Sequence, residues 1–174
     1  IWAASYEERN AIHLDGVISI TPSVVQDILA IVGPITLADG TVLDGSNATR
    51  VLQHDIYWKY LSNGADPEGT GLAVTDALFA QAAHETFNKL FENLNSATMI
   101  KFASCMAQNM ENRTVMFWLT DTGEQAMLAS LGCSGALNSD SSKPELGVFY
   151  SAWIGSKMGW YVDIDNEVLE SHKN

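Results

Sequence analysis

The stretch LDGVISITPSVVQDILAIVGP, at residues 14–34, constrains the fold most strongly, because it joins a strand pattern directly to a helix pattern. Residues 14–20 form a short apolar run rich in β-branched side chains, which predicts a strand. Thr21 is a suitable helix N-cap, and Pro22 fits the first helical position. Apolar residues then recur on one helical face, at Val24, Val25, Ile28, Leu29 and Val32. A Gly-Pro pair ends this predicted helix.

Helical patterns also occupy much of the remaining chain. Residues 2–11 are predicted to be the end of a helix. Further helices are predicted at residues 46–61, 72–93, 97–110 and from Asp121 or Thr122 to about Leu131. The stretch SNGADPEGTG, at residues 62–71, is rich in turn formers and predicts a loop.

Strand patterns separate some of these helices. Residues 34–43 predict a strand or hairpin that turns at an Asp-Gly pair. The run RTVMFWLT, at residues 113–120, predicts a strand buried on both faces. Residues 147–153 and 158–164 predict strand-like pieces near the C-terminus. Helices alternating with strands indicate an α/β (α+β) fold, with one mixed β-sheet and helices packed on it.

Composition and charge limit the possible functions. The chain has 174 residues, 47% of them apolar, which suits one domain with a proper core. We expect that domain to span residues 1–165, followed by a polar tail at 166–174. The net charge of −12 argues against nucleic acid and against a basic patch for anionic lipid. No apolar run approaches the roughly 20 residues needed to span a bilayer, so we expect no membrane contact by this chain itself.

The two cysteines, Cys105 and Cys133, leave two alternatives open. No CxxC pattern or histidine spacing suggests a zinc site. The cysteines are therefore either buried thiols or one disulfide, which would require an oxidising compartment. The GCSG sequence at 132–135 is not a nucleophile elbow, because it follows a predicted helix, and we interpret it as a glycine C-cap.

Histidines and carboxylates form weak candidate sites. His84 opens an HExxH-like pattern, but Asn88 stands where the second zinc ligand would be. His13 and Asp15 are two residues apart at a strand start and could share one face that binds a metal. Neither pattern specifies a bound group, so we expect no metal and no cofactor.

His54 and Asp55 are a possible acid–base pair. However, adjacent residues on an α-helix point about 100° apart and do not face each other. We therefore expect both side chains to lie at the surface unless a third group approaches them.

The sequence VFYSAWIGSKMGWYVD, at residues 148–163, surrounds a small polar break with aromatic residues. The break, GSK at 155–157, sets a serine beside a lysine, whereas Ser-Lys hydrolases use SxxK spacing. We interpret it as a hairpin bend with a β-bulge and keep Lys157 as a weak catalytic candidate. Trp160 and Tyr161 predict either ordinary strand core or a carbohydrate-stacking patch.

Three segments, taken in order, resemble the bacterial domain of unknown function 4012. They are LDGVISITPSVVQDILAIVGPITLADGTVL (14–43), VMFWLTDTGEQAMLASLGCSGAL (115–137) and GVFYSAWIGSKMGWYV (147–162). The resemblance covers most of residues 10–165, and GPITLADG and GSKM are its most specific parts. It implies that the chain is the C-terminal part of a larger, membrane-anchored protein outside the bacterial cytoplasm. That implied location favours a disulfide between Cys105 and Cys133.

Residues 14–37 also resemble, more distantly, the LytR-CpsA-Psr family, whose members transfer polyprenyl-phosphate-linked glycans onto the cell wall. That chemistry rests on clustered arginines and acids that hold a pyrophosphate and Mg²⁺. After this segment the chain contains only Arg50 and Arg113, in no matching pattern. The resemblance therefore implies kinship of fold rather than a pyrophosphate site.

Two hypotheses for function follow. The first is an extracytoplasmic, non-catalytic or structural module of the bacterial cell envelope, which binds cell-wall glycan or another envelope protein. The second is a glycan-polymer transferase or hydrolase that acts on cell-wall precursors, with Asp15, Arg50, His54 and Lys157 as candidate catalytic residues. Convergence of these four side chains in one polar cleft would favour the second hypothesis.

Overall fold

A computed structural model of the chain describes residues 2–62, 69–136, 142, 158–162, 164, 165 and 167. The described elements are α1 (Trp2–Asn10), β1 (Gly16–Ile20), α2 (Pro22–Val32), β2 (Ile35–Thr36), β3 (Val42–Leu43), α3 (Ala48–Arg50), a π-helical segment (Val51–Asp55), α4 (Ile56–Leu61), α5 (Gly71–Glu92), α6 (Ser96–Glu111), β4 (Val115–Leu119), α7 (Thr122–Ser130) and a 3₁₀ helix (Met158–Tyr161). Among these residues, no helix is long and apolar enough to cross a membrane.

The described part of the chain is mostly helical, with two small antiparallel sheets. Strand β1 pairs with β4, in a register that runs from Gly16↔Leu119 to Ile20↔Val115. Strand β2 pairs with β3 across the predicted Asp-Gly turn. The prediction of one mixed sheet is therefore wrong. The two-residue strands β2 and β3 pair their backbone groups with each other, and α2 separates them from β1 along the chain.

Strand β4 is covered on one face, and the prediction of burial on both faces is wrong. Val115 and Phe117 face an apolar cluster, whereas Trp118, on the opposite side of the strand, is 44% exposed. A strand presents alternate side chains to opposite faces. In this two-stranded sheet the unbroken apolar run thus includes side chains that meet solvent.

The structure describes only part of the two strands that were predicted near the C-terminus. Residues 147–153 and the break at 155–157 lie outside the described residues. Within the predicted strand at 158–164, Met158–Tyr161 forms a 3₁₀ helix, so that prediction is wrong over these residues. A 3₁₀ turn closes its hydrogen bonds locally, whereas a strand needs a neighbouring strand.

Helix α2 lies between two apolar clusters. The larger cluster combines α2 with the β2–β3 hairpin, the helical stretch at 48–61 and α5, through buried side chains such as Leu29, Leu43 and Leu52. The smaller cluster joins α2 to α5 and β4, through Ile28, Leu90 and Val115. These contacts agree with the amphipathic pattern predicted for α2.

The end of α7 confirms the predicted glycine C-cap. Gly132 adopts a left-handed backbone with φ of 74°. Its N–H donates to the Ala129 carbonyl, and the Cys133 N–H donates to the Leu128 carbonyl. This pair of bonds is a Schellman motif, which satisfies carbonyls that the helix leaves unpaired.

Both cysteines are free thiols, so the expected Cys105–Cys133 disulfide is not formed. The Cys133 sulfur is buried and lies 3.3 Å from the sulfur of Met110. The Cys105 sulfur lies 3.6 Å from the side-chain nitrogen of Asn109. Each sulfur packs against a different neighbour. The spacing of the two cysteines in the sequence does not indicate which neighbours these are.

Asp39 fastens the β2–β3 hairpin to α4. Its Oδ2 accepts hydrogen bonds from Lys59 Nζ at 2.8 Å and from the Tyr60 hydroxyl at 2.7 Å. The Thr41 N–H and hydroxyl donate to the same carboxylate, at 2.9 Å each. Burial by itself would raise the pKa of Asp39, but the bonds from Lys59, Tyr60 and Thr41 outweigh it and hold the pKa well below 3.8. The charged carboxylate therefore stabilises the fold.

We predict that Asp39→Asn lowers the free energy of unfolding by about 1–3 kcal/mol at neutral pH, because its donors lose a charged acceptor. The folded-state pKa of Asp39 is lowered, so its contribution is present above about pH 4 and is lost as the pH falls further. Urea unfolding at neutral and acidic pH measures both effects. The variant should lose less stability on acidification than the wild type. Equal acid sensitivity of the two proteins would contradict this role of Asp39.

Candidate functional site

The π-helical segment Val51–Asp55 joins α3 to α4. Within it, the Ile56 N–H donates to the Val51 carbonyl five residues back, so this turn is wider than an α-helical turn. The apolar side chains of Val51, Leu52 and Ile56 are buried. They anchor the segment, while His54 remains partly exposed on its outer side. Such π-helical turns are frequent at functional sites.

Asp55 connects His54 to Arg50 through one carboxylate. Its Oδ1 lies 2.7 Å from His54 Nδ1, and its Oδ2 lies 3.0 Å from Arg50 Nη1. The prediction that adjacent His54 and Asp55 would not face each other is therefore wrong. The two side chains bend towards each other within the wide turn, and each contact is a charge-assisted hydrogen bond or ion pair.

The second ring nitrogen of His54 reaches the 3₁₀ helix. His54 Nε2 lies 2.6 Å from the hydroxyl of Tyr161, although 107 positions separate the two residues. An ionised carboxylate only accepts hydrogen bonds, so Asp55 assigns the proton of neutral His54 to Nδ1. Nε2 then accepts the hydrogen bond that the Tyr161 hydroxyl donates. Asp55, His54 and Tyr161 thus form one continuous chain of hydrogen bonds.

Aromatic rings surround the imidazole of His54. The Trp58 ring is nearly parallel to it, with centroids 6.2 Å apart and an angle of 7°. The rings of Trp160 and Tyr161 lie 5.8 Å and 5.6 Å from it, in tilted and edge-on orientations. All three neighbours are substantially exposed, Trp58 by 59%, Trp160 by 39% and Tyr161 by 60%. We call this group the His54 cluster, formed by Arg50, His54, Asp55, Trp58, Trp160 and Tyr161.

The structure thus brings together five of the residues that the sequence singled out, namely Arg50, His54, Asp55, Trp160 and Tyr161. Asp15 instead precedes β1, where its carbonyl accepts from the Thr120 N–H at 2.8 Å. No hydrogen bond or ion pair of the described residues connects it to the His54 cluster. Lys157 lies outside the residues that the structure describes.

Two other histidines, both among the described residues, have local partners. His13 pairs with Glu7 at 3.1 Å rather than with Asp15. His84 Nε2 lies 2.9 Å from the side-chain nitrogen of Asn88, which keeps the HExxH-like stretch as a polar helix face. No group of three or more metal-ligating side chains occurs in the described ranges.

A second polar feature is the cleft between α2 and α6, with a volume of about 470 Å³. Its lining includes Asp27, Cys105 and Asn109. The buried Asn109 side chain donates to Asp27 Oδ2 at 2.9 Å and to the Cys105 carbonyl at 3.0 Å. Partial burial, followed by the charge of Asp27, raises the pKa of the Cys105 thiol. The thiol stays protonated at neutral pH and is a weak nucleophile.

The sequence interpretation missed Trp58 and the link from Asp55 to Arg50. Residues four apart on a helix are neighbours, so Trp58 could have been placed beside His54 from its spacing alone. The contact with the 3₁₀ helix has no comparable local signal, since it depends on how distant segments fold together.

A family model described as "Protein of unknown function (DUF4012)" matches residues 1–57 of the 174. The match contains the segment at 14–43, including its GPITLADG part, and extends through His54 and Asp55. The segments at 115–137 and 147–162 lie beyond it. The resemblance to the LytR-CpsA-Psr family receives no support. No curated protein and no solved structure matches the chain.

We predict that neutral His54 carries its proton on Nδ1 in the wild type and that Asp55→Asn shifts this population towards the Nε2 tautomer. The side-chain amide of Asn can either donate to Nδ1 or accept from it. The variant therefore lacks the acceptor-only carboxylate that selects the Nδ1 tautomer in the wild type. NMR of the imidazole nitrogens measures the distribution. His84 provides a control in the same spectrum, and its signals should not change. An unchanged His54 tautomer in the variant would contradict the geometry described above.

Proposed function

We propose that this chain is a non-catalytic binding module of the bacterial cell envelope and that the His54 cluster binds cell-wall glycan. The observation that carries the proposal is the exposure of Trp58, Trp160 and Tyr161 around one histidine. Large aromatic side chains normally lose most of their surface to the core. A group of them left exposed in one place is typical of a binding surface.

The chemistry of the cluster suits a sugar. A pyranose ring has a face of C–H groups that packs on flat aromatic rings, and hydroxyl groups that form hydrogen bonds around its edge. Trp and Tyr provide a flat apolar surface together with a polar atom for such bonds. Their positions are held by the contacts with His54, so little conformational entropy is lost when a ligand packs on them.

The charge of the cluster favours a neutral glycan over an anionic polymer. Arg50 is already paired with Asp55, so the site offers little uncompensated positive charge. The chain as a whole carries a net charge of −12. Repeated phosphate or carboxylate groups would meet an unfavourable field at this surface.

The extracytoplasmic location is part of the proposal. Its support is the resemblance of the chain to the bacterial domain of unknown function 4012, which implies this location and of which the family match covers residues 1–57. A neutral cell-wall glycan is accessible only on that side of the membrane. Another envelope protein is the alternative partner for the same aromatic surface, because exposed Trp and Tyr are also common at protein interfaces.

A glycan-polymer transferase or hydrolase is the second candidate. The observation in its favour is the chain of hydrogen bonds through Asp55, His54 and Tyr161. Of the four residues first considered for catalysis, Arg50 and His54 belong to this cluster.

We predict that the protein binds a short soluble chitin oligosaccharide, which has the N-acetylglucosamine units of cell-wall glycan. Trp58→Ala and Trp160→Ala should each weaken binding by roughly tenfold or more, as expected for aromatic residues at the centre of a binding surface. Isothermal titration calorimetry measures both affinities. The matched control is Trp118→Ala, which removes an equally large exposed ring from β4 and should leave the affinity unchanged.

Two results would overturn the glycan proposal. One is the absence of binding by the wild-type protein, and the other is equal weakening by Trp118→Ala and by the two cluster variants. Far-ultraviolet circular dichroism of each variant checks that the helices remain folded.

A further inference from the structure

We propose that the hydroxyl of Tyr161 is a nucleophile that accepts an acyl group, with His54 as its general base and Asp55 as the residue that positions His54. This activity goes beyond glycan binding and does not depend on it. A nucleophile, a base within hydrogen-bond reach and a third group that orients the base are the arrangement by which hydroxyl nucleophiles are activated.

The distances satisfy this arrangement. The Tyr161 hydroxyl lies 2.6 Å from His54 Nε2, and His54 Nδ1 lies 2.7 Å from Asp55 Oδ1. Because Asp55 accepts the proton of Nδ1, the lone pair of Nε2 points to the hydroxyl of Tyr161. Nε2 is therefore placed to take the phenolic proton.

A further contact holds the base in this orientation. Arg50 binds the other oxygen of Asp55 at 3.0 Å, which restrains the carboxylate. Asp55 and Arg50 act through His54 and are positioning residues, whereas His54 and Tyr161 contact the reacting atoms.

The Tyr161 side chain is also open to a reagent, since 60% of its surface is exposed. In the proposed step the phenolic oxygen attacks the carbonyl carbon of an activated acyl donor, such as a thioester or an acyl imidazole. A new oxygen–carbon bond forms, and the bond between the carbonyl carbon and the leaving group breaks. The phenolic proton passes to His54 Nε2 and then to the leaving group, so His54 is regenerated and Tyr161 becomes an aryl ester. The Asp55 carboxylate stabilises the imidazolium that forms in between.

The same protein contains a suitable reference tyrosine. Tyr6, on α1, is 54% exposed, almost as much as Tyr161. Its hydroxyl forms no hydrogen bond with another described residue. A comparison of Tyr161 with Tyr6 therefore separates activation by a base from simple exposure.

The test is acetylation of the full chain with N-acetylimidazole at neutral pH, followed over time by peptide mass spectrometry. We expect Tyr161 to be acetylated roughly tenfold or more faster than Tyr6, since a positioned general base contributes at least that much. Removal of the acetyl group by hydroxylamine identifies the product as an aryl ester rather than a lysine amide. Equal rates at Tyr161 and Tyr6 would overturn the proposal.

The variants His54→Gln and Asp55→Asn test the role of each partner. We expect His54→Gln to lower the rate at Tyr161 to that of Tyr6, and Asp55→Asn to lower it partly. Tyr161 is already 60% exposed beside His54, so we do not expect loss of this contact to restrict access of the reagent. The rate at Tyr6 reports whether α1 is undisturbed. An unchanged rate at Tyr161 in His54→Gln would also refute the proposal.

The outcomes for binding and for acylation are separable. Tyr161→Phe keeps the aromatic ring but removes the hydroxyl, so it should abolish acetylation at this position, and its affinity for chitin oligosaccharide is measured separately. Trp58→Ala should weaken oligosaccharide binding and retain acetylation of Tyr161 above the rate at Tyr6. Failure of one property leaves the other directly measurable.

Discussion

The burial of one face of α2 is the interaction on which the rest of the described fold depends. Val25 and Leu29 lie in the larger apolar cluster, whereas Val24 and Ile28 lie in the smaller one. Their spacing places the two pairs side by side on one helical stripe. Each fully buried aliphatic side chain contributes about 1.5–3 kcal/mol to the stability of the fold. The burial of α2 therefore stabilises both clusters.

The His54 cluster depends on this core through the helical stretch at 48–61. Val51, Leu52 and Ile56 fix one side of that stretch in the larger apolar cluster. Asp39 ties its end to the β2–β3 hairpin through Lys59 and Tyr60. A rigid support of this kind allows exposed side chains to keep a defined geometry, which both sugar binding and activation of a hydroxyl require.

The proposed glycan binding and the proposed acylation would use the same cluster in different ways. Binding would use the ring faces of Trp58 and Trp160 and would need no proton transfer. Acylation would use the hydroxyl of Tyr161 and the base His54, and it would need the tautomer that Asp55 selects. An envelope module with both properties would hold a glycan beside a reactive hydroxyl. Measurements on Trp58 and His54 variants distinguish the two contributions.

The sequence by itself determined the helices, because their signals are local. Apolar spacing, Pro22 at the start of α2 and Gly132 after α7 act within a few residues, and these helices formed close to the predicted bounds. Only the tertiary structure decided the pairing of β1 with β4, the free state of the cysteines and the meeting of His54 with Tyr161. Each of these outcomes depends on how segments far apart in the chain pack against each other. Several partners could satisfy the same hydrophobic pattern, and tertiary packing selects one of them.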